Sequence, residues 1–375
     1  MEKKLTIGMA HYSDFHGVFF TVQDIIKELV FNGRVDLLRQ IEFVIVENNN
    51  GCEHSKSVKD LANKHANLVR VIDLEGRQGT SCTRNRVIQE ARGKFVLVMD
   101  CHVLLCPVVK TIERLIDFIN YNDKSEDLYC GPLVFDSMNS LYTHFNDEWS
   151  GGMWGRWGIS WSCVCEAYNF SVIEKDGKSQ FVDLATQERL HKCKYCDRNF
   201  PELDFAGHES RLKMEGYERL ATDPQSKPFE VFAQGLGLFL TRKNSWLGFN
   251  DNQSGFGGEE CYIHEKYRLA GRKTNCLPFL KWVHRFGRPE GVQYAVSTEQ
   301  KMVNYIHEFK ELGLSPKPLI DHFVKELKVP QGVFAEHWGN NNIKVENPDT
   351  VSLEDQIKSL QDKLEKLNGK KCCKK

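Results

Sequence analysis

The sequence predicts an α/β protein in which helices flank a mostly parallel sheet. Strand-like and helix-like segments alternate through about the first hundred residues, and residues 43–46 form a short strand of apolar residues only. Such alternation implies right-handed crossovers between parallel strands. A wholly apolar strand is typical of a sheet that is covered on both faces.

The predicted elements follow one another along the chain. Strands are predicted at residues 5–10, 43–46, 68–72, 94–99 and 234–240, and helices at residues 22–31, 58–66, 83–92, 302–312 and 319–327. Residues 255–290 are predicted to contain a glycine-rich turn, a helix and a last strand. Because ligands of parallel sheets bind beyond the carboxyl ends of the strands, Asp100 is well placed for chemistry at the end of its strand.

Three regions are predicted from these patterns. Residues 1–290 form the main domain, which carries an insert at about 136–230 with two pairs of cysteines, and residues 291–345 form a helical extension. Residues 346–375 form a heptad helix and a Lys/Cys tail; the seam consists of Leu353, Ile357, Leu360, Leu364 and Leu367. A seam of roughly two heptads is marginal alone, so we expect it to dock on the body or to pair weakly in an oligomer.

Composition and charge limit the classes of protein that fit. The 375 residues include 50 Lys plus Arg and 51 Asp plus Glu, a net charge of −1, so nucleic-acid or membrane binding would need a local patch. The sequence contains no apolar run of about 18 residues and no signal-peptide pattern. We therefore expect a cytoplasmic protein, in a bacterial cytosol or a virus-infected cell, whose 13 cysteines bind metal or are buried.

The segment Asp100-Cys101-His102 closes an apolar strand. Two residues apart in an extended chain, a carboxylate and an imidazole point the same way and can hold one divalent ion. The same residue types also simply cap strand ends. His284 likewise ends a strand in an aromatic setting, where a lone histidine is usually structural.

Two glycine-containing loops accompany this strand end. The loop from Gln78 to Asn85 combines small residues with Arg84 at the start of a helix, which suits a pyrophosphate but also fits a simple helix cap. Gly257-Gly258-Glu259-Glu260 places two acids at a helix N-terminus. Adjacent carboxylates repel, which raises one pKa and produces a general base; helix-start acids are the alternative.

In this order, these elements resemble glycosyltransferases of the Rossmann-like GT-A fold, nearest the polypeptide N-acetylgalactosaminyltransferase-like branch of family 2. The loop–helix–strand from Gly79 to His102 resembles that family's approach to its Asp-x-His metal motif. Residues 235–240, 247–250 and 257–260 resemble its acceptor-side signature. The resemblance covers roughly residues 4–290.

The resemblance implies a mechanism and a set of site residues. Asp100, His102 and His284 would ligate Mn²⁺ or Mg²⁺, which bridges the phosphates of a nucleotide-sugar, UDP-sugar by default. The nucleotide-sugar would be lined by Ala10, His11, Tyr12, Glu47, Asn48, Gly79, Arg84, Asp100, Gly235 and Gly258. Glu260 would be the base and Glu259 would bind hydroxyl groups. A carboxylate at position 260 favours inversion, whereas the Asp-x-His motif is nearer the retaining branch.

The insert carries the features from which an acceptor is predicted. Cys163, Cys165, Cys193 and Cys196 have the paired spacing of a structural Zn²⁺ site, and unrelated buried cysteines are the alternative. Trp154 and Trp157 alternate with glycines, which suits acceptor binding by stacking, although core packing explains them equally well. Such an insert with clustered Lys and Arg suits DNA with hydroxymethylated bases, the acceptor of some viral glycosyltransferases; a solvated face is the alternative for the basic residues.

Other acceptors and other functions fit the same sequence. A surface glycan, a lipid-linked sugar and a protein are the competing acceptors. A non-catalytic nucleotide-sugar or nucleic-acid binding module would use the same sheet without chemistry. A nucleotidyltransferase would release pyrophosphate instead, but it leaves the Gly-Gly-Glu-Glu segment and His284 unexplained.

Overall fold

The structure is a computed structural model of the chain. It describes residues 3–106, 110–135, 141–160, 170–175, 178–183, 188–189, 191–192, 224–285, 287 and 294–339. The predicted zinc ligands Cys163, Cys165, Cys193 and Cys196 lie outside the described residues, as does the predicted heptad helix and tail at 346–375. Among the described residues, no helix has both the length and the apolar character needed to cross a membrane.

The first half of the chain shows the predicted alternation. Its elements are β1 (Leu5–His11), α1 (Phe15–Phe31), α2 (Val35–Leu38), β2 (Ile41–Glu47), α3 (Glu53–Lys64), β3 (Val69–Asp73), α4 (Thr80–Glu90) and β4 (Phe95–Asp100). Helix α1 begins earlier than predicted because Asp14 caps it: the Asp14 Oδ1 accepts a hydrogen bond from the Gly17 amide at 3.1 Å.

The second half contains more strands than the sequence predicted. Its elements are β5 (Val103–Leu105), α5 (Thr111–Tyr121), β6 (Leu128–Cys130), β7 (Leu133–Phe135), β8 (Leu141–Ser150), β9 (Met153–Ser160), β10 (Phe170–Lys175), β11 (Lys178–Asp183), β12 (Phe229–Glu230), β13 (Leu238–Arg242), α6 (Glu259–Leu269), β14 (Thr274–Cys276), β15 (Trp282–His284), α7 (Thr298–Leu312), α8 (Lys317–Leu319) and α9 (Gln331–Trp338). The helix predicted at 319–327 is a π-helical segment, Ile320–Glu326.

Two sheets contain most of the described strands, and β10 and β11 form a separate antiparallel pair. The larger has the order β12-β14-β6-β13-β4-β1-β2-β3, in which β4, β1, β2 and β3 are parallel and β13 runs antiparallel to β4 and β6. The smaller has the order β5-β15-β7-β8-β9. Strand β15 lies antiparallel to β5 and places His284 opposite Val103, one residue from His102. The smaller sheet therefore brings two distant histidines to one place.

The apolar residues of the central strands form the core that holds this arrangement. Every residue of β2 is buried, as the apolar run at 43–46 predicts. A large apolar cluster joins β1, β2 and β4 to α1 and α5 on one face of the sheet, and a second cluster joins β2, β4 and β13 to α4 and α6 on the other. Covering both faces rigidly fixes the strand ends that carry Asp100 and Ala10.

The C-terminal helices pack on the smaller sheet rather than standing apart. Phe145 of β8 and Trp154 of β9 share one buried cluster with Tyr305 and Phe309 of α7. The Trp154 amide donates to the Tyr305 hydroxyl at 2.8 Å. Helix α7 is therefore fixed against the body of the protein within the part of the chain that the structure describes.

We predict that Glu42 is a main electrostatic support of the central sheet. It is 2% exposed and accepts hydrogen bonds from the Thr6 hydroxyl at 2.7 Å, the Arg70 Nε at 3.0 Å and the Arg92 amide at 2.6 Å. Glu42→Ala should lower the free energy of unfolding by about 3 kcal/mol in urea denaturation, because it leaves buried donors without an acceptor.

The matched control is Glu90→Ala, which removes a half-buried i,i+4 partner of the exposed Arg86 and should change the free energy of unfolding by less than about 0.5 kcal/mol. Equal effects of the two substitutions would contradict the role assigned to Glu42.

Candidate active site

A cleft of about 630 Å³ lies at the carboxyl ends of β1 and β4, where a parallel sheet is expected to bind its ligands. The loops that precede α4 and α6 form its other walls. Of the residues predicted to contact nucleotide-sugar or metal, those that line it are Ala10, His11, Tyr12, Asn48, Gly79, Arg84, Asp100 and His102. The two loops meet at Gly79: the Thr80 amide donates to the Gly255 carbonyl at 3.0 Å, and a Cβ on Gly79 would lie 2.8 Å from the Gly255 nitrogen.

The three residues predicted to bind the metal converge. One ligand atom from each of Asp100, His102 and His284 lies within 4.8 Å of the others. The two Nε2 atoms of the histidines are 3.1 Å apart, and the His102 Nε2 is 3.7 Å from the Asp100 Oδ2. Strand pairing causes this convergence, because the Arg285 amide donates to the His102 carbonyl at 3.1 Å.

This donor set fits a divalent cation. Adjacent ligands of an octahedral ion at roughly 2.1 Å stand about 3 Å apart, close to the separation of the two imidazole nitrogens. Imidazole nitrogen together with carboxylate oxygen suits Mn²⁺, Mg²⁺ or a similar ion whose remaining positions accept oxygen. On the other side of His102, Asp14 lies 3.8 Å from the Nδ1 atom and is itself held by Arg285 at 2.7 Å.

Arg84 joins the two acidic motifs of the site. Its guanidinium is 4% exposed and donates to the Asp100 Oδ1 and the Glu259 Oε1, each at 2.9 Å. Burial opposes ionisation of Asp100, but Arg84, His102 and His284 outweigh it and lower the pKa of Asp100. Arg84 therefore keeps the end of β4 ionised and ties it to the start of α6.

Glu260 has an environment that raises its pKa to about 8, first through burial and then through the charge of Glu259. Arg84 and Lys301 act in the opposite direction. The Glu260 Oε2 is buried and accepts no hydrogen bond from the residues that the structure describes. Glu260 is not on the cleft wall; it follows Glu259, whose partner Arg84 lines the cleft.

Helix α7 holds the loop that precedes α6. The Asn304 Nδ2 donates to the carbonyls of Ser254 at 3.0 Å and Gly257 at 2.8 Å, and the Asn304 Oδ1 accepts from the Ser254 amide at 3.2 Å. Glu308 is fully buried and accepts from the Gln253 side chain. Burial, followed by the charges of Glu259 and Glu260, raises the pKa of Glu308 well above its usual value.

On the nucleotide side, three predicted residues, His11, Glu47 and Asn48, are held by hydrogen bonds within the protein, and Glu47 does not line the cleft. The His11 Nδ1 and the Glu47 Oε2 are 2.7 Å apart and both side chains are fully buried. The His11 Nε2 accepts from the Asp14 amide at 3.1 Å, so the Nδ1 carries the proton that Glu47 accepts. Asn48 fixes the loop before α4 by exchanging two hydrogen bonds with the Gln78 backbone, at 2.6 and 2.7 Å.

One side of the cleft is aromatic. The Arg77 guanidinium lies 5.3 Å from the centre of the Tyr12 ring, and Tyr294 meets Tyr12 edge-on at 6.0 Å between ring centres. The ring centre of Phe256 lies 5.1 Å from that of Tyr294. Flat faces beside a cation suit stacking with a nucleobase or a sugar.

Other predicted site residues lie away from this cleft. Trp154 is 7% exposed, stacks on Trp149 and donates to the Asp147 carboxylate at 2.7 Å, which matches core packing. Trp157 packs beside Phe145, with 4.4 Å between the ring centres. A Cβ on Gly235 would lie 2.6 Å from the Trp157 ring. Gly258, with a φ of +112°, directly precedes α6 as its N-cap residue. These positions leave acceptor binding by Trp154 and Trp157 a prediction.

The Lys and Arg residues at positions 268–285 are largely paired or buried. Arg268 pairs with Glu265, Arg272 with Glu126, Lys273 with Glu230 and Arg285 with Asp14. Lys281 is buried. Paired or buried cations do not form a surface that attracts a polyanion.

Sequence reasoning missed several residues that shape the site. Asp14, Arg77 and Tyr294 line the cleft, and Asn304 and Glu308 hold its acidic loop. The only available signal was local: Asp14 precedes a helical segment, as a capping residue does. Arg77 directly precedes the predicted loop that starts at Gln78. Tyr294, Asn304 and Glu308 come to the site through contacts between segments that are distant in sequence.

Comparison with known proteins agrees with the fold. Residues 28–160 match the sequence model of glycosyl transferase family 2. A crystal structure of GalNAc-T7 with UDP, GalNAc and Mn²⁺ aligns with 90% of this chain and 53% of that chain, at 15% identity and a TM-score of 0.51. This chain thus spans about half the length of that relative. The GT-A fold predicted from the sequence is confirmed.

A mannosyltransferase from Pyrobaculum calidifontis, PcManGT, solved with GDP-Man and Mn²⁺, aligns with 98% of this chain and 81% of that chain. Its identity is 12% and its TM-score is 0.44, a likeness too weak to bear on the fold. No curated protein matches the sequence.

We predict that replacing any member of the triad, by Asp100→Asn, His102→Ala or His284→Ala, weakens Mn²⁺ binding roughly 100-fold or more in isothermal titration calorimetry. The loss should exceed the 10- to 100-fold typical of residues behind a ligand, because a ligand itself is removed. Asp251→Asn is the control, since Asp251 lines the cleft outside the triad. Unchanged affinity in His284→Ala would contradict the assignment.

We also predict that Asn304→Ala lowers the free energy of unfolding by about 2–3 kcal/mol, because three hydrogen bonds to one loop are lost. Glu299→Ala, at an exposed position of the same helix, should change it by less than about 0.5 kcal/mol. Urea denaturation of the two variants measures both values. Equal midpoints and slopes would show that α7 does not support the loop.

Proposed function

We propose that this GT-A chain is a metal-dependent glycosyltransferase, which moves a sugar from a nucleotide-sugar to an acceptor hydroxyl group. One observation carries the proposal: Asp100, His102 and His284 converge at the cleft formed by the ends of the parallel strands. A non-catalytic binding module would not need an ion site where a diphosphate would lie. Nor would it need two further acids joined to that site through Arg84.

Asp100, His102 and His284 would hold the divalent ion, Mn²⁺ or Mg²⁺. The ion supplies Lewis-acid neutralisation of the charge that develops on a nucleoside diphosphate leaving group. Arg84 keeps Asp100 ionised and correctly oriented. The aromatic wall of Tyr12 and Tyr294, with Arg77, would bind the nucleobase or the sugar.

A UDP-sugar is the donor that we propose. The GalNAc-T7 structure was solved with UDP and Mn²⁺, and sequence resemblance points to the same branch. Glu47 and Asn48 are predicted to contact the nucleotide, but their side chains already bond to His11 and to the Gln78 backbone. Other groups that line the cleft would therefore select the nucleobase.

We further propose Glu260 as the base that removes the proton of the acceptor hydroxyl, with Glu259 positioned by Arg84. A carboxylate with a pKa near 8 accepts that proton readily from a hydroxyl whose acidity increases during transfer. Direct attack by the activated hydroxyl would invert the configuration of the sugar carbon.

The acceptor supplies the hydroxyl group to which the sugar is transferred. A hydroxymethylated base in DNA remains a prediction, and the pairing of Arg268, Arg272 and Lys273 with acids does not favour it. A glycan, a lipid-linked sugar and a protein are the competing acceptors. Mass spectrometry of UDP-sugars incubated with each acceptor class would decide among them.

Release of UDP from a UDP-sugar tests the reaction class. The proposal expects release in the presence of Mn²⁺, loss of release with EDTA and loss in Asp100→Ala. Release of pyrophosphate from a nucleoside triphosphate and a sugar phosphate would instead identify a nucleotidyltransferase. Binding of the UDP-sugar without release or transfer, with every acceptor class present, would identify a binding module.

We predict that kcat/KM for transfer rises with pH through a midpoint at about 8, because Glu260 acts only when deprotonated and its pKa is about 8. Lys301→Met should move the midpoint to higher pH, since Lys301 lowers the pKa of Glu260. Lys310→Met, on the exposed side of the same helix, should leave the midpoint unchanged.

Glu260→Gln should abolish the pH-dependent transfer. If Glu260→Gln kept full activity with the same pH profile and the same product anomer, the base would be another group.

A further inference from the structure

A second cavity, of about 560 Å³, lies at the opposite end of the central strands from the cleft. Its walls include Lys3, Lys4 and Lys94, which flank the first residues of β1 and β4, and Arg242, which ends β13. The register pairs Leu5 and Arg242 with Phe95. Ala10 and Asp100 close the same strands at the cleft, so the two sites stand about 20 Å apart at roughly 3.3 Å per residue.

The cavity concentrates positive charge in a chain whose net charge is −1. Its cationic residues are Lys3, Lys4, Arg92, Lys94, Arg242 and Lys243, and among the residues that the structure describes Asp123 is the one acid that lines it. Asp123 pairs with Lys94 at 2.7 Å. The end of α5 adds about half a negative charge, which leaves most of the positive charge in the cavity unneutralised.

Three of these lysines donate to uncharged acceptors, which do not neutralise their positive charge. The Lys3 Nζ donates to the Ile41 carbonyl at 2.5 Å, the Lys4 Nζ to the Asn120 side chain at 2.8 Å and the Lys243 Nζ to the Ala91 carbonyl at 2.6 Å. Glu42 lies nearby, but it pairs with Arg70 at 3.0 Å.

The Arg242 Nε is buried and has no hydrogen-bond acceptor among the described residues. Burial and then the Arg92 charge lower the pKa of Lys3 against the opposing effect of Glu42. Like charges gathered in a concave site destabilise the protein unless an anion joins them.

We propose that this cavity is a second binding site, separate from the donor cleft, for a small phosphate-bearing molecule. Arginine and lysine side chains are the usual partners of phosphate oxygens. The site is concave and of the size of small-molecule pockets, whereas a polymer backbone or a lipid surface needs an extended exposed face. The donor cleft, by contrast, combines acids with a single buried arginine and would take its phosphates through a metal ion.

Thermal unfolding in inorganic phosphate, against chloride of equal ionic strength, tests the proposal. At about ten times Kd, phosphate should raise the Tm of the wild-type chain by at least about 2 °C, because a ligand of the folded state stabilises it. Lys4→Gln/Arg242→Gln should lose this rise, whereas Lys27→Gln, on the exposed side of α1, should keep it. Loss in Arg77→Gln instead would place the phosphate in the donor cleft and overturn the proposal.

The Tm without phosphate separates binding from a purely structural role. Removing two repelling charges should leave the Tm of Lys4→Gln/Arg242→Gln unchanged or higher, with UDP release as in the wild type. A lower Tm, together with an undiminished response to phosphate, would show that the cations only support the fold.

Two further probes separate the sources of phosphate. Binding to phosphatidic acid vesicles or to a short DNA duplex that depends on Arg242, with no response to inorganic phosphate, would overturn the proposal in favour of a membrane or DNA surface. A response to phosphate and pyrophosphate without vesicle or duplex binding would support it.

Discussion

The bridge that Arg84 forms between Asp100 and Glu259 is the interaction on which the rest of the site depends. One buried guanidinium holds the carboxylate that ends β4 and the first acid of α6, each at 2.9 Å. Removing two carboxylates from water is unfavourable unless a cation accompanies them. Arg84 supplies that cation and sets the distance between the metal-binding strand end and the acidic helix start, so the two motifs act as one site.

The parallel half of the fold was predictable because its signals are local. Apolar runs such as residues 43–46 identify the buried strands directly, and the structure has strands at all four predicted positions of this half. The helix starts were harder, since α1 begins at a cap, Asp14, and not at its first buried apolar residue. The short strands β5, β7 and β15 have three residues each and gain their stability from neighbours rather than from their own sequence.

The site was predictable only in part. Asp100 and His102 are two residues apart and share a strand end, so spacing indicates that they act together. His284 joins them because β15 pairs with β5, and only resemblance to a family pointed to it. The roles of Asn304 and Glu308 could not be predicted, because residue type alone does not distinguish a buried polar side chain on a helix from a solvated one. Trp154 has the sequence context of a mobile loop but meets Tyr305, which lies 151 positions later.

Helix α7 is thus part of the structure around the site. It packs on the smaller sheet and, through Asn304, holds the loop that precedes α6. Loop, helix and sheet together keep Glu260 in a low-dielectric setting, which raises its pKa. The same helix supplies Lys301, whose charge limits that rise.

Pulsed electron paramagnetic resonance of bound Mn²⁺ in the presence of UDP tests the central claim most directly. The account predicts ¹⁴N couplings from two imidazoles and ³¹P couplings from the diphosphate on the same ion, with one imidazole coupling lost in His284→Ala. A spectrum that shows phosphorus coupling but no nitrogen coupling would contradict coordination by His102 and His284.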